Sequence, residues 1–347
     1  LPFHPIFLKL KTFKIYAISK NKPTIRPQIL GLICLVSMSL SGCFATTQNP
    51  SPTTNPEPVS QVSDEATRTI EHAMGTTEIS GTPERIVVLT NEGTDMLVAL
   101  GVTPVGAVKS WQGEPYYGYL SAELEDVPVI GDEFQPNLEN IVALKPDLII
   151  GSKVRQEQLY GKLQAIAPTV FSETLGATWK DNFKLYAKAL NREAEAQTLL
   201  EQWDQRVANL KEQLGDQPPT VSLVRFMPGT ARIYYEQSFP GQIVAEVGLR
   251  RPEVQQKNDF AAEIGLESIQ DLEADHLFYF TFNEAENRGE DTQNQWQDHP
   301  LWQNLAVLEN GNVYQVNDGE WTSSSGILAA NQVLNDLAKH ILDETQN

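Results

Sequence analysis

Residues 192–214 read REAEAQTLLEQWDQRVANLKEQL, free of Gly and Pro, with apolar side chains at Ala196, Leu199, Leu200, Trp203, Val207, Leu210 and Leu214. Recurrence at i, i+3, i+4 and i+7 predicts a single amphipathic helix. Asn191 is expected as its N-cap, Glu193 and Glu195 stand at its positive end, and Gly215, Pro218 and Pro219 stop it. With about 1.5 Å of rise per residue it extends roughly 34 Å, the width of a small domain.

Working outward, the two flanks resemble each other. Before the helix, a hairpin over 70–81 leads to strand 85–90 (RIVVLT), helix 92–100 closed by Gly101, strand 105–108, helix 137–146 and strand 147–150. After it come strand 221–226 (VSLVRF), helix 241–247 ending at Gly248, a helix–strand unit over 266–280, strand 313–316 and a closing helix over 326–341. Residues 138–149 and 266–277 both fit L-E-x-I-x-x-L-x-x-D-x-[LI]. One lobe design used twice is the expectation. The fold class is therefore α/β, with two Rossmann-like lobes, at 69–190 and 216–347, joined by one long helix at 191–215. A ligand cleft lies between them, where strand carboxyl ends meet.

Composition narrows the function. The 347-residue chain is 41% hydrophobic and 20% charged, as in globular proteins. Residues 1–42 hold six basic residues and no acid, so without them the formal charge falls from −19 to −25. So acidic a body repels nucleic acid, and binds an anion only through a local basic pocket. Its two cysteines, Cys34 and Cys43, both lie near the start, and its histidines lack ligand spacing, so neither a disulfide framework nor a structural metal site is expected. The apolar run 29–40 is shorter than the roughly 20 residues a membrane helix needs, and reads as a signal-peptide core within residues 1–42. Leu40, Ser41, Gly42 and Cys43 resemble the lipobox of bacterial lipoproteins, which implies acylation of Cys43 and attachment to a membrane. Residues 43–68 are polar and Pro-rich and read as a tether.

There is no G-x-G-x-x-G, no phosphate-binding P-loop, no G-x-S-x-G and no H-E-x-x-H, so neither nucleotide binding nor catalysis is expected. Cationic and aromatic residues do fall at strand exits. They are Lys109 and Trp111, Lys153 and Arg155, Arg225 and Phe226, and Trp321 in the polar loop 317–325, with Tyr235 taken into the same set. Arginine offers forked donors to anionic oxygens and tryptophan a flat apolar face. Each singly reads equally well as a surface cation or a core ring; together they favour an anion pocket.

Residues 72–88 (HAMGTTEISGTPERIVV), 136–149 (PNLENIVALKPDLI) and the long helix resemble the periplasmic binding proteins of iron-siderophore and vitamin B12 importers, over residues 69 to the C-terminus. Residues 108–111, 151–155, 224–226 and 321–330 are most similar to the branch taking ferric citrate- and hydroxamate-type chelates. The resemblance implies a monomeric carrier with no cofactor and no metal ligand of its own. It would hold an Fe(III)-siderophore complex for a permease and its ATPase. It also implies that Glu139 and Glu267, equivalent in the internal repeat, dock on permease arginines; a first-turn acid favoured by the helix dipole is the plainer account of both. One stiff connector implies little lobe rotation. Within the same importer class the alternative is a cobalamin or haem carrier; from other classes, a tethered hydrolase or a purely structural lipoprotein.

Overall fold

The computed structural model describes residues 66–284 and 287–342. The signal segment, Cys43 and all but the last residues of the expected tether lie outside the described residues. No helix among the described residues is long and apolar enough to cross a membrane.

The chain enters as a hairpin of β1 (Thr67–His72) and β2 (Gly75–Ser80), whose alternation buries Ile70 and Ile79. There follow β3 (Ile86–Val88), α1 (Asn91–Ala99), β4 (Gly106–Ala107), α2 (Leu138–Leu144) and β5 (Leu148–Ser152). Next come α3 (Lys153–Gln156), α4 (Tyr160–Gln164), β6 (Thr169–Ser172) and α5 (Trp179–Leu190). These strands make a four-stranded parallel sheet in the order β4-β3-β5-β6. They are buried throughout, which explains why they read as continuous apolar runs.

Helix α6 (Glu193–Leu214) buries Ala196, Leu200, Trp203, Val207 and Leu210, as its rhythm predicts. Its start differs from expectation. Asn191 adopts a left-handed conformation (φ 58°) that ends α5, and Arg192 takes the N-cap position. Asparagine tolerates that geometry better than most residues, so its short polar side chain served a C-terminus instead.

Beyond α6 lie β7 (Val221–Met227), β8 (Thr230–Tyr234), α7 (Phe239–Val247), β9 (Ala261–Ile264) and β10 (His276–Thr281). The short pair β11 (Asn283–Glu284) and β12 (Asn287–Arg288) precedes α8 (Gly289–Gln297), α9 (Pro300–Gln303) and α10 (Ala306–Glu309). The chain ends with β13 (Val313–Gln315) and α11 (Ile327–Leu342). The second sheet runs β13-β10-β7-β8-β9 and is mixed: the first three strands are parallel, while β8 and β9 are antiparallel. A turn at Pro228 and Gly229 (φ 76°) folds β8 back on β7.

The repeated motif has a physical basis. Asp147 accepts from the backbone N–H groups of Glu84 and Arg85, both at 2.9 Å, and so fixes the entry of β3 beside β5. Its counterpart Asp275 accepts from Thr220 N at 2.7 Å and fixes β7 beside β10. The preceding element is α-helical in the first copy but a 3-10 turn (Leu266–Leu272) in the second.

The largest hydrophobic core runs through both halves, from Ile70 to Ile341. Trp179 of α5 meets Trp203 of α6 and Phe239 of α7 edge-on, at ring distances of 5.3 and 6.2 Å. Lys180 lies 5.5 Å from each indole and pairs with Glu246 of α7, which also accepts from Trp203 Nε1 at 3.1 Å. Fully buried Asp95 of α1 accepts from Leu328 N and Ala329 N at 2.8 and 3.0 Å, capping α11. The last helix is thereby fastened to the first.

Candidate functional site

The chain leaves β5 through Ser152 into α3, which carries Arg155 to the edge of the first sheet. Its Nε donates to Glu133 Oε2 at 3.0 Å, and its guanidinium lies 4.9 Å from the Phe134 ring centre. Glu133 is only 3% exposed, and its other oxygen accepts from Asn91 N at 2.7 Å and Asn91 Nδ2 at 2.9 Å. Gln156 holds the loop, donating to the carbonyls of Leu89 and Glu133. Trp111 packs edge-on against Phe134 at 5.5 Å.

Across from it, Arg225 near the end of β7 is held from several sides. Nε and Nη2 donate to the two carboxylate oxygens of Asp318 at 2.5 and 2.7 Å. Nη2 also reaches Ser323 Oγ at 2.9 Å, Nη1 reaches Tyr234 Oη at 3.2 Å, and Phe282 lies under the guanidinium at 4.8 Å. Burial opposes its charge, but Asp318 and Tyr234 outweigh that and raise its pKa, so it stays a cation. Asp318 additionally accepts from Gln112 Nε2 at 2.7 Å, a hydrogen bond between the two sides.

Between these walls lies a cavity of about 410 Å³. Trp111, Glu133, Phe134 and Arg155 line one side; Arg225, Arg232, Tyr234, Phe260, Phe282 and Ser323 line the other. A π-helical turn, Gly319–Ser323, delivers Thr322 and Ser323 to the rim, with Ser324 and Ser325 following. Glu92 forms part of the floor. Burial pushes its pKa up to about 8, although Gly176 N and Asn182 Nδ2 each donate to it at 2.7 Å. The site thus offers three arginines, Arg155 on one side and Arg225 and Arg232 on the other, each already touching a carboxylate, on an aromatic ground.

Trp111, Arg155 and Arg225 of the sequence-derived set come together here. The others do not. Lys109 is exposed and does not line the cavity. Lys153 faces an adjoining groove and pairs with Glu173 at 2.7 Å. Phe226 is buried in the second lobe's core against Tyr279, Trp296 and Trp302, since alternation along β7 turns it away from the side of Arg225. Tyr235 lies in that same core, 3% exposed. Trp321 is fully buried, stacked on Phe278 and Phe280 with Nε1 donating to Asp336; the loop around it is a tight turn that sends this ring inward. Glu139 and Glu267 are exposed, each in the first turn of its element.

Sequence reasoning missed Glu133, Phe134, Arg232, Tyr234, Phe260, Phe282 and Asp318. Phe134 carried a readable signal, a lone aromatic in the polar turn GDEFQP, and it is 55% exposed. Among the described residues no cluster of three or more His, Cys, Asp or Glu is arranged to hold a metal.

The periplasmic binding protein family pattern matches residues 86–318, from the first parallel strand to the aspartate that grips Arg225. The chain belongs to this family. It is 50% identical over 294 residues to the probable siderophore-binding lipoprotein YfiY of Bacillus subtilis, covering 82% of this chain and 90% of the relative. It is 38% identical to the achromobactin-binding periplasmic protein of Dickeya dadantii, covering 74% and 86%. Its structure resembles that of Staphylococcus aureus SirA complexed with staphyloferrin B, with TM-score 0.72, 36% identity, and 79% and 98% coverage. Periplasmic binding proteins are substrate-binding proteins, and the two-lobed α/β fold is common to this chain and these neighbours.

Proposed function

We propose that this chain captures a ferric siderophore outside the cytoplasmic membrane and hands it to an ABC permease served by its ATPase. The observation that carries the reading is the pair of facing arginines, Arg155 and Arg225, over an aromatic cavity. Such a site suits anionic oxygens on a bulky, partly apolar chelate, with iron held by the siderophore as cargo. Relatives named for siderophore and achromobactin binding, and a structural neighbour complexed with staphyloferrin B, support a siderophore as the ligand. Cys43 is read as the lipid anchor, with the chain acting as a monomer at the outer face of that membrane.

Glu139 and Glu267 are read as the permease contacts, one on each lobe. Both occupy the second position of the repeated motif and both are exposed. The core shared between lobes favours small lobe rotation on binding. Scattering profiles of free and bound protein should nearly superimpose; a large compaction would contradict this.

Tryptophan fluorescence tests the ligand, because Trp111 lines the cavity while Trp179, Trp203, Trp296, Trp302 and Trp321 are buried. Ferric citrate-type or hydroxamate-type siderophores should quench it saturably, the iron-free forms more weakly, and Trp111→Phe should lose most of the response. Tight binding of haem or a cobalamin without any response to ferric chelates would overturn the reading.

A further inference from the structure

A second cavity, of about 520 Å³, opens on the second lobe where α7 ends, and none of its lining residues lines the cleft. Arg250, Arg251 and Lys257 line it, with Glu236 as the one lining acid. In a chain of formal charge −19 this is a local reversal of sign.

Arg251 is the unusual member. Its Nη2 donates to Tyr234 O at 2.7 Å and Gln255 Oε1 at 2.6 Å, while its buried Nε has no hydrogen-bond partner. No carboxylate pairs with it among the described residues, and burial pushes its pKa down to about 10. The contrast with Arg225 is direct: that guanidinium is comparably enclosed but has Asp318 on two of its nitrogens. A buried charge lacking a counter-ion is costly. Bracing the Tyr234 carbonyl accounts for one nitrogen of Arg251, and leaves the charge and the neighbouring cations unexplained. Lys257 holds its ammonium 5.0 Å over the Tyr235 ring and is exposed. Arg250 donates to Pro218 O and stands 4.0 Å from Asp275, also with an exposed side chain.

We propose that the cavity bounded by Arg250, Arg251 and Lys257 is an oxyanion site for a phosphate group, free or as a phosphomonoester, separate from the siderophore cleft. Three cationic groups match an anion with up to two charges and several acceptor oxygens. A bound phosphate supplies the counter-charge that Arg251 lacks.

The test is the unfolding midpoint of the full chain, titrated with inorganic phosphate or glycerol phosphate against chloride at equal ionic strength. A saturable rise with phosphate is expected, since a ligand of the folded state stabilises it. A rise with inorganic phosphate assigns the site to a free anion, and an equal rise with glycerol phosphate extends it to esters. Arg250→Gln and Lys257→Gln, both exposed, should each raise the apparent dissociation constant about tenfold, as for one charge-assisted hydrogen bond. Lys153→Gln, a cation elsewhere, should leave it unchanged. Arg251→Met should abolish the response; should that variant not fold, the two exposed variants still decide. Phosphate behaving like chloride, or an unaltered response in both exposed variants, overturns the proposal. Siderophore titration of Arg250→Gln and Lys257→Gln should be unchanged, so this proposal and that for the cleft stand or fall separately.

Discussion

The two walls of the cleft each hold an arginine above a phenylalanine ring, at 4.9 Å for Arg155 on Phe134 and 4.8 Å for Arg225 on Phe282. They are secured differently. The Arg155 side chain is 31% exposed and meets one carboxylate oxygen through Nε; that of Arg225 is 12% exposed and meets both oxygens of Asp318, a serine and a tyrosine. If both serve the proposed ligand, the first is a contact with room to adjust and the second a fixed anchor, already positioned.

The largest effect should follow removal of that anchor. Arg225→Met leaves Asp318 buried without its partner, and should cost about 3–5 kcal/mol of stability. Siderophore affinity should fall by about a hundredfold or more. Adding Asp318→Asn should restore much of the stability, read by urea denaturation, without restoring affinity. Recovery of both would make Arg225 a scaffold residue and leave the first wall as the binding wall.

Next in size is a pH effect located in the lobe that carries the first wall. Glu92 is raised from 4.5 to about 8 by burial, so between these values the folded chain keeps a proton that the unfolded chain has lost. Its stabilising contribution is complete below the lower value and is lost as pH rises toward the upper one. Asp95, raised to about 6, acts in the same direction. Glu92→Gln stays neutral, so its urea midpoint should gain on the parent between pH 5 and 8. Parallel curves would mean that Glu92 ionises freely.

Arg155→Ala comes third. Affinity should drop about tenfold, for one charge-assisted contact, while stability falls by about 1–3 kcal/mol, less than for Arg225 because buried Glu133 keeps its two donors from Asn91. A loss as large as that of Arg225 would erase the distinction between the walls. The smallest effect on affinity is expected from Glu139→Lys and Glu267→Lys, within about twofold for exposed sites. Uptake by cells should nevertheless stop, and weakened ligand binding would move these residues into the pocket.

The same contrast separates what the sequence reveals from what it hides. Helix α6, the parallel strands and the repeated motif carry local periodic signals, and Arg155 and Arg225 stand where such strands end. The repeat even encodes a contact, because Asp147 and Asp275 each secure the adjacent strand. The aromatic ground of the cavity has no such signature. Phe134, Phe260 and Phe282 lie on three separate segments and line one cavity only once both sheets have formed. Trp321 misleads for a related reason. Its neighbours 317–325 are polar, yet their hydroxyls and carboxylates serve Arg225 and one another, which lets the indole turn inward. The antiparallel hairpin of β8 hid because Thr230–Tyr234 is short and follows so closely on β7.

The cap on α11 also sets an order of events. Asp95 must wait for Leu328, 233 residues further along the chain, before its buried carboxylate has backbone donors. The core that begins at Ile70 closes only when Ile341 is in place. Closing so long a loop is slow, and the first lobe cannot finish alone during synthesis. A chain ending before Ile327 should therefore leave the amides of α1 open to hydrogen exchange, even with every strand of the first sheet present. Completion that depends on α11 leaves the shared core open until nearly all of the two lobes has been made.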